Sequence, residues 1–94
     1  MVSSITASEL DKIHKNIIDI RTIEKYNDNH IPNAIHVPMN KLILNPKQYL
    51  NFTDVYYLYC QKGSQSIQVC MYLRKLGYKV INVRGGYEAW ILSH

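Results

Sequence analysis

The sequence predicts an α/β fold, a central parallel sheet with helices on both faces, and three observations carry the prediction. Short apolar runs of strand character alternate along the chain with helical segments. The strongest of these runs, Val55-Tyr56-Tyr57-Leu58-Tyr59, is continuous rather than alternating, as expected of a strand covered on both faces of a parallel sheet. It leads through a short polar loop into an amphipathic helix, and parallel strands joined by right-handed crossovers place such helices on both sides of the sheet.

Taken in order, Thr6-Ala7-Ser8-Glu9 fits a capping box, in which the threonine hydroxyl and the glutamate carboxylate each satisfy an amide at a helix start, so a helix is expected from Ala7 to His14. Ile17-Ile18-Asp19-Ile20 reads as a short buried strand. Thr22 to Asn29 is polar and helical in character, and His30-Ile31-Pro32-Asn33 is a turn, because proline fixes one dihedral and asparagine tolerates a left-handed one. Ala34 to Val37 is a second strand, stopped by Pro38. Two short helical turns around Asn45-Pro46 are expected between Met39 and Phe52. After the Val55–Tyr59 strand, Val69, Tyr72, Leu73 and Leu76 fall at i, i+3, i+4 and i+7, which assigns them to one helix face, and Gly77 closes that helix. Val80 to Val83 is a further strand, Gly85-Gly86 a sharp bend, and Tyr87 to Leu92 a final helix.

The 94 residues suffice for one domain with one core, expected to span 1–94. The formal net charge of +4 favours a small anionic substrate. Lysines such as Lys12, Lys25, Lys47 and Lys79 are scattered singly, without the one-faced stripe of a nucleic-acid footprint, so no nucleic-acid partner is expected. The N-terminal MVSSITASEL lacks a basic segment followed by an apolar one, and no apolar run approaches membrane-spanning length, so the expected location is cytoplasmic, with no membrane contact. Cys60 and Cys70 form no CxxC pair, and the four histidines share no ligand spacing with them, so no metal is expected.

The chemistry is expected at Cys60-Gln61-Lys62-Gly63-Ser64-Gln65-Ser66. In open parallel sheets, ligands bind where strands end and helices begin, and Cys60 stands at that junction on the strongest strand. First-turn amides lack partners within the helix, the helix dipole is positive there, and Lys62 adds a full charge. Thiols in such surroundings titrate from roughly 3.5 to 7.5 instead of about 8.5, so Cys60 is expected to be a thiolate at neutral pH. Gly63 allows close approach of backbone to sulfur. Cys60 is therefore the expected catalytic residue rather than a cysteine that merely ends a core strand, and Gln61, Lys62, Gly63, Ser64, Gln65 and Ser66 are expected to line the substrate site. The residues alone leave the nucleophilic chemistry open.

The loop resembles the active-site loop of rhodanese domains, Cys-x-x-Gly-x-Arg-Ser, at Cys60, Gly63 and Ser66. Asp19-Ile20-Arg21 is similar to that family's Asp-Val-Arg strand end, and His30-Ile31-Pro32-Asn33-Ala34-Ile35-His36-Val37-Pro38 to its His-Ile-Pro-Gly-Ala segment. Leu73, Gly77-Tyr78 and Gly85-Gly86-Tyr87-Glu88-Ala89-Trp90 resemble its closing pattern. The resemblance implies a rhodanese-like fold of about five strands. It implies a sulfurtransferase that moves a sulfane sulfur from thiosulfate or another persulfide donor to a thiol or cyanide acceptor through a Cys60 persulfide, without a cofactor, with a sulfur-relay protein as a further potential partner. Gln65 stands where many members carry arginine, which exchanges a full charge for a neutral amide, offset in part by Lys62. That exchange points to a protein or low-molecular-weight persulfide as an alternative to thiosulfate.

Other residues read more plainly. Asp19, Arg21 and Glu24 are expected to form a structural polar cluster, His30 to hold its turn, Cys70 to fill the core at the flank of the helix stripe, and Trp90 and the tyrosines to pack. Two other functions stand beside sulfur transfer. A cysteine-based phosphatase or arsenate reductase needs an arginine at the end of a longer loop, where this chain has Ser66. A non-catalytic module that binds a partner protein would ordinarily lack the cysteine.

Overall fold

The Val55–Tyr59 run forms the middle of a five-stranded sheet, as its unbroken apolar character demands. The computed structural model describes residues 3–94. Its strands are β1 (Ser4–Ile5), β2 (Ile17–Asp19), β3 (Ile35–His36), β4 (Val55–Tyr59) and β5 (Lys79–Val83), in the order β1-β5-β4-β2-β3. Every pairing is parallel, with Ile18 opposite Leu58, Asp19 opposite Tyr59, and Leu58 opposite Asn82. The helices are α1 (Ile23–Asp28), α2 (Met39–Leu44), α3 (Ser64–Lys75) and α4 (Gly86–Leu92), with short 3₁₀ turns at Glu9–Lys12 and Pro46–Gln48. Among the described residues no helix is long and apolar enough to cross a membrane.

Strand alternation sorts the core into two layers. Ile18, Leu58, Cys60 and Val80 meet Leu42 of α2 and Val69, Cys70 and Leu73 of α3 on one face. On the other, Ile17, Tyr59 and Val83 meet Leu10, Tyr87 and Trp90. Helices thus cover both faces.

The structure departs from the sequence reading in four places. The fifth strand, Ser4–Ile5, is too short and too polar to show a pattern, and it exists only because Ser4 and Ile5 pair with Asn82 and Val83. The capping box forms, with Thr6 N–H donating to Glu9 Oε1 (2.9 Å) and Glu9 N–H to Thr6 Oγ1 (3.2 Å), but it starts a 3₁₀ turn, not a helix to His14. Only Leu10 of that turn is buried, so nothing propagates the helix; Ile13 is already extended and Asn16 takes φ +62° to enter β2. The buried face of α3 is Ser66, Val69, Cys70 and Leu73, whereas Tyr72 and Leu76 are 43% and 46% exposed. Cys70 therefore belongs to the stripe itself. Finally, Glu24 is exposed and takes no part in the Asp19–Arg21 cluster.

Candidate functional site

The expected loop lies at the carboxyl end of β4, and Cys60 is 2% exposed at its base. Gly63 N–H and Ser66 N–H point at Cys60 Sγ from 3.1 and 3.3 Å. The thiol in turn lies 3.4 Å from Ser66 Oγ, to which it donates. Two amide dipoles converging on one sulfur favour negative charge there. Of the expected residues, the structure brings Cys60, Gly63 and Ser66 into direct contact. Gln61, Lys62, Ser64 and Gln65 instead line, with Cys60 and Lys25, a hollow of about 260 Å³ above the sulfur.

Two glycines make the loop possible. Gly63 takes φ +96° immediately before α3, and a side chain there would press on the backbone of Gly85, 2.9 Å from its nitrogen. Gly86, at φ +62°, is packed so tightly under the loop that a methyl group would collide with Cys60 O and come within 2.9 Å of Gln61 O and Gly63 N. The first amides of α4 take up the loop carbonyls, Tyr87 N–H donating to Cys60 O (2.9 Å) and Glu88 N–H to Gln61 O (3.0 Å). The Gly85-Gly86 bend is thus part of the loop's support, a role its sequence signal as a mere turn did not disclose.

Beneath the loop on the α3 side, Ser66 Oγ lies 2.5 Å from Asn82 Oδ1, to which it donates, and 3.2 Å from Gly63 O. Asn82 is 3% exposed on β5, the one polar side chain of an otherwise apolar strand end, and that break in Val80–Val83 was the signal that could have found it. On the α4 side, Arg21 pairs with the fully buried Asp19 (Nη2 to Oδ2, 2.7 Å) and also donates to Asn29 O (2.6 Å) and Gln61 Oε1 (3.1 Å). Its guanidinium lies 4.2 Å from the Tyr87 ring centroid. Burial works against the Arg21 charge, but the hydrogen bonds and charge of Asp19 outweigh it and hold the guanidinium more firmly protonated than usual. Tyr59 OH donates to Asp19 Oδ2 (2.7 Å), and burial first, then the Asp19 charge, raise this phenol well above its ordinary range. The cluster joins β2, β4, α1 and the loop into one polar support.

Cys70 is fully buried, and burial pushes its thiol up to about 12. His30 stacks on Tyr26 at 3.8 Å with Nδ1 2.9 Å from Tyr26 O, fastening the end of α1 and not facing the sulfur.

The sequence profile of the rhodanese-like domain family matches residues 6–93. The thiosulfate sulfurtransferase GlpE of Coxiella burnetii is 34% identical over 98 residues, covering 99% of this chain and 88% of that protein. A sulfurtransferase of Allochromatium vinosum is 37% identical over 75 residues, covering 79% of this chain and 69% of the relative. Two further relatives are longer proteins, of which the chain spans 40% and 20%. In structure, the SSP1007 protein of Staphylococcus saprophyticus superposes with a TM-score of 0.86 at 35% identity, over 95% of this chain and 93% of that one. By sequence profile, by relatives and by fold, the chain belongs to the rhodanese-like domain family.

Proposed function

We propose that this protein is a sulfurtransferase in which Cys60 carries a sulfane sulfur as a persulfide. The observation that carries the reading is the pair of backbone amides, Gly63 and Ser66, converging on Sγ at 3.1 and 3.3 Å. The Cys60 thiolate attacks the outer sulfur of thiosulfate or of a persulfide donor. A new S–S bond forms, the donor's own bond to that sulfur breaks, and its electron pair leaves with sulfite or with the donor thiolate. The negative charge then resides on the outer sulfur of the persulfide, above the loop and within reach of the first-turn amides of α3, which have no partners within the helix. Cyanide, or an acceptor thiol that has already lost its proton to solvent, attacks that outer sulfur, and the Cys60 thiolate leaves. With the acceptor entering as an anion, no proton need be taken within the site, which agrees with a hollow that, among the described residues, is lined by neither histidine nor carboxylate. The names of the relatives, sulfurtransferase and thiosulfate sulfurtransferase, support the same reading.

The test is the mass of the intact protein after incubation with thiosulfate and with a low-molecular-weight persulfide. Wild type gains one sulfur atom, Cys70→Ala gains the same, and Cys60→Ser gains none. A wild-type mass unchanged by every donor overturns the proposal in favour of a module that binds a partner without catalysis.

A further inference from the structure

Arg21 is the guanidinium nearest the loop, but its charge is spent on the structure. It is 6% exposed, paired to Asp19, and it also donates to Asn29 O and Gln61 Oε1. Gln65, the loop position where the family pattern often has arginine, brings no charge. An anion entering the site must therefore find its countercharge elsewhere.

Two hollows adjoin over the loop. The one above Cys60 is lined by Lys25, Cys60, Gln61, Lys62, Ser64 and Gln65. The neighbouring one, of about 360 Å³, shares Lys25, Gln61 and Gln65 with it and continues past Arg21 and Thr22 to Pro38 and Met39. No carboxylate lines either hollow. Lys25 is the only cation common to both, and among the described residues neither it nor Lys62 forms an ion pair. The short helix that presents Lys25 is tied down on several sides. Thr22 Oγ1 accepts from Lys25 N–H (3.4 Å), Arg21 holds Asn29 O at the other end, and Tyr26 OH donates to Ala34 O (2.7 Å).

We infer that Lys25, on α1, is a specificity-determining residue that supplies, with Lys62, the positive charge for an anionic sulfur donor at Cys60, a charge moved from the loop to a different element of the fold. That the anion is a sulfur donor rests on the function proposed above; that the hollow takes an anion through Lys25 does not. A dianion such as thiosulfate gains about twice as much from this charge as a monoanionic thiosulfonate, because the Coulomb energy scales with the ligand charge. The attraction weakens with added salt, since Lys25 is exposed and its charge is screened over about 10 Å at 0.1 M.

The experiment has two arms. In the first, thiosulfate and sulfite are titrated into Cys60→Ser protein, where no transfer can occur, and binding is read from the backbone amide signals of Gly63 and Ser66. Adding Lys25→Gln weakens binding roughly three- to tenfold, as expected for a single exposed charge acting on a dianion. Lys25→Arg retains it, and Lys15→Gln, the same change of net charge in a separate hollow at the amino ends of β2 and β4, leaves it unaltered. In the second arm, steady-state transfer by Lys25→Gln shows KM for thiosulfate raised by that factor with kcat preserved, and a shift in log KM about half as large for the thiosulfonate. Equal affinities for Lys25→Gln and Lys15→Gln, or a loss confined to kcat, overturn the inference. Lys25-dependent anion binding in a protein that never takes up sulfur overturns the proposed function and leaves the anion site standing.

Discussion

Alanine at Gly86 would put a methyl group where the structure has the backbone of the Cys60 loop, and the consequence divides into two parts. The first is conformational: φ is +62°, and a residue with a Cβ held in the left-handed region costs about 1–2 kcal/mol. The second is steric. The methyl would overlap Cys60 O and stand 2.9 Å from both Gln61 O and Gly63 N, all backbone atoms that cannot swing aside as a side chain can. Overpacking of this kind costs a further ~1–3 kcal/mol. The total is about 2–5 kcal/mol, which in a domain of this size lowers Tm by at least ~8 °C. Gly77 provides the control, since its φ is +103° but a methyl there meets only ring carbons of Phe52 at 3.6 and 3.7 Å, an ordinary contact. Gly77→Ala should thus show the conformational part alone. Urea unfolding of both variants separates the two parts. The rate of sulfur uptake from thiosulfate, followed by mass, then reports on the loop: Gly86→Ala should be slowed about tenfold or more at a temperature where it is still folded, because displaced amides no longer meet the sulfur. If Gly86→Ala proves no less stable than Gly77→Ala and takes up sulfur at the wild-type rate, the α4 bend does not hold the loop and the reasoning fails.

Other perturbations probe the supports individually. Arg21→Met leaves the Asp19 carboxylate buried without its partner and should cost about 3–5 kcal/mol in urea unfolding, with part of the loss recovered in Asp19→Asn/Arg21→Met. Cys70 makes stability depend on alkaline pH. Its folded thiol is raised from 9.0 to about 12, so the unfolded chain releases this proton first; the contribution is complete below pH ~9 and is lost toward pH ~12, by up to about 1.4 kcal/mol per unit. Cys70→Ala lacks that term, so the stability advantage of wild type over the variant should shrink between pH 8 and pH 10; an advantage constant over that range would contradict the burial assigned to this thiol.

Much of the fold could be read from the sequence because each principal element carries its own local signal. The apolar block Val55–Tyr59, the polar loop after it and the helix that follows all stand where the residues put them. The two-residue strand β1 could not be read, since its only cause is the free edge of β5 some eighty residues further along. The α3 stripe lies three residues earlier than the apolar spacing places it, because Ser66 and Cys70 outrank Tyr72 and Leu76 once Ser66 has Asn82 to bond with and Cys70 has the core to fill. At the site, the sulfur and its loop were visible, whereas the contributions from a distance were not. Lys25, Asn82 and Gly86 approach the loop only through the order of the strands, and no spacing in the chain records that they meet.

The support from α4 also bears on chemistry, through the planarity of the peptide group. In a trans peptide the carbonyl of one residue and the N–H of the next point in opposite directions. Binding Cys60 O to Tyr87 N–H therefore turns the Gln61 N–H away from α4, and binding Gln61 O to Glu88 N–H does the same to the N–H of Lys62. Both residues line the hollow above the sulfur. The bend at Gly85-Gly86 thus fixes the direction of two amides that it never touches, and α3 independently supplies the amide of Ser66. On the sulfur-transfer reading, the inner sulfur of the persulfide is held by Gly63 and Ser66, while the outer one, bearing the charge, meets donors whose aim is set from the opposite face of the sheet. A loop with the same sequence but released from α4 would keep its cysteine and its helix dipole, yet its first two amides would be free to turn, and donors that must reorient during the reaction stabilise charge far less than donors already in place.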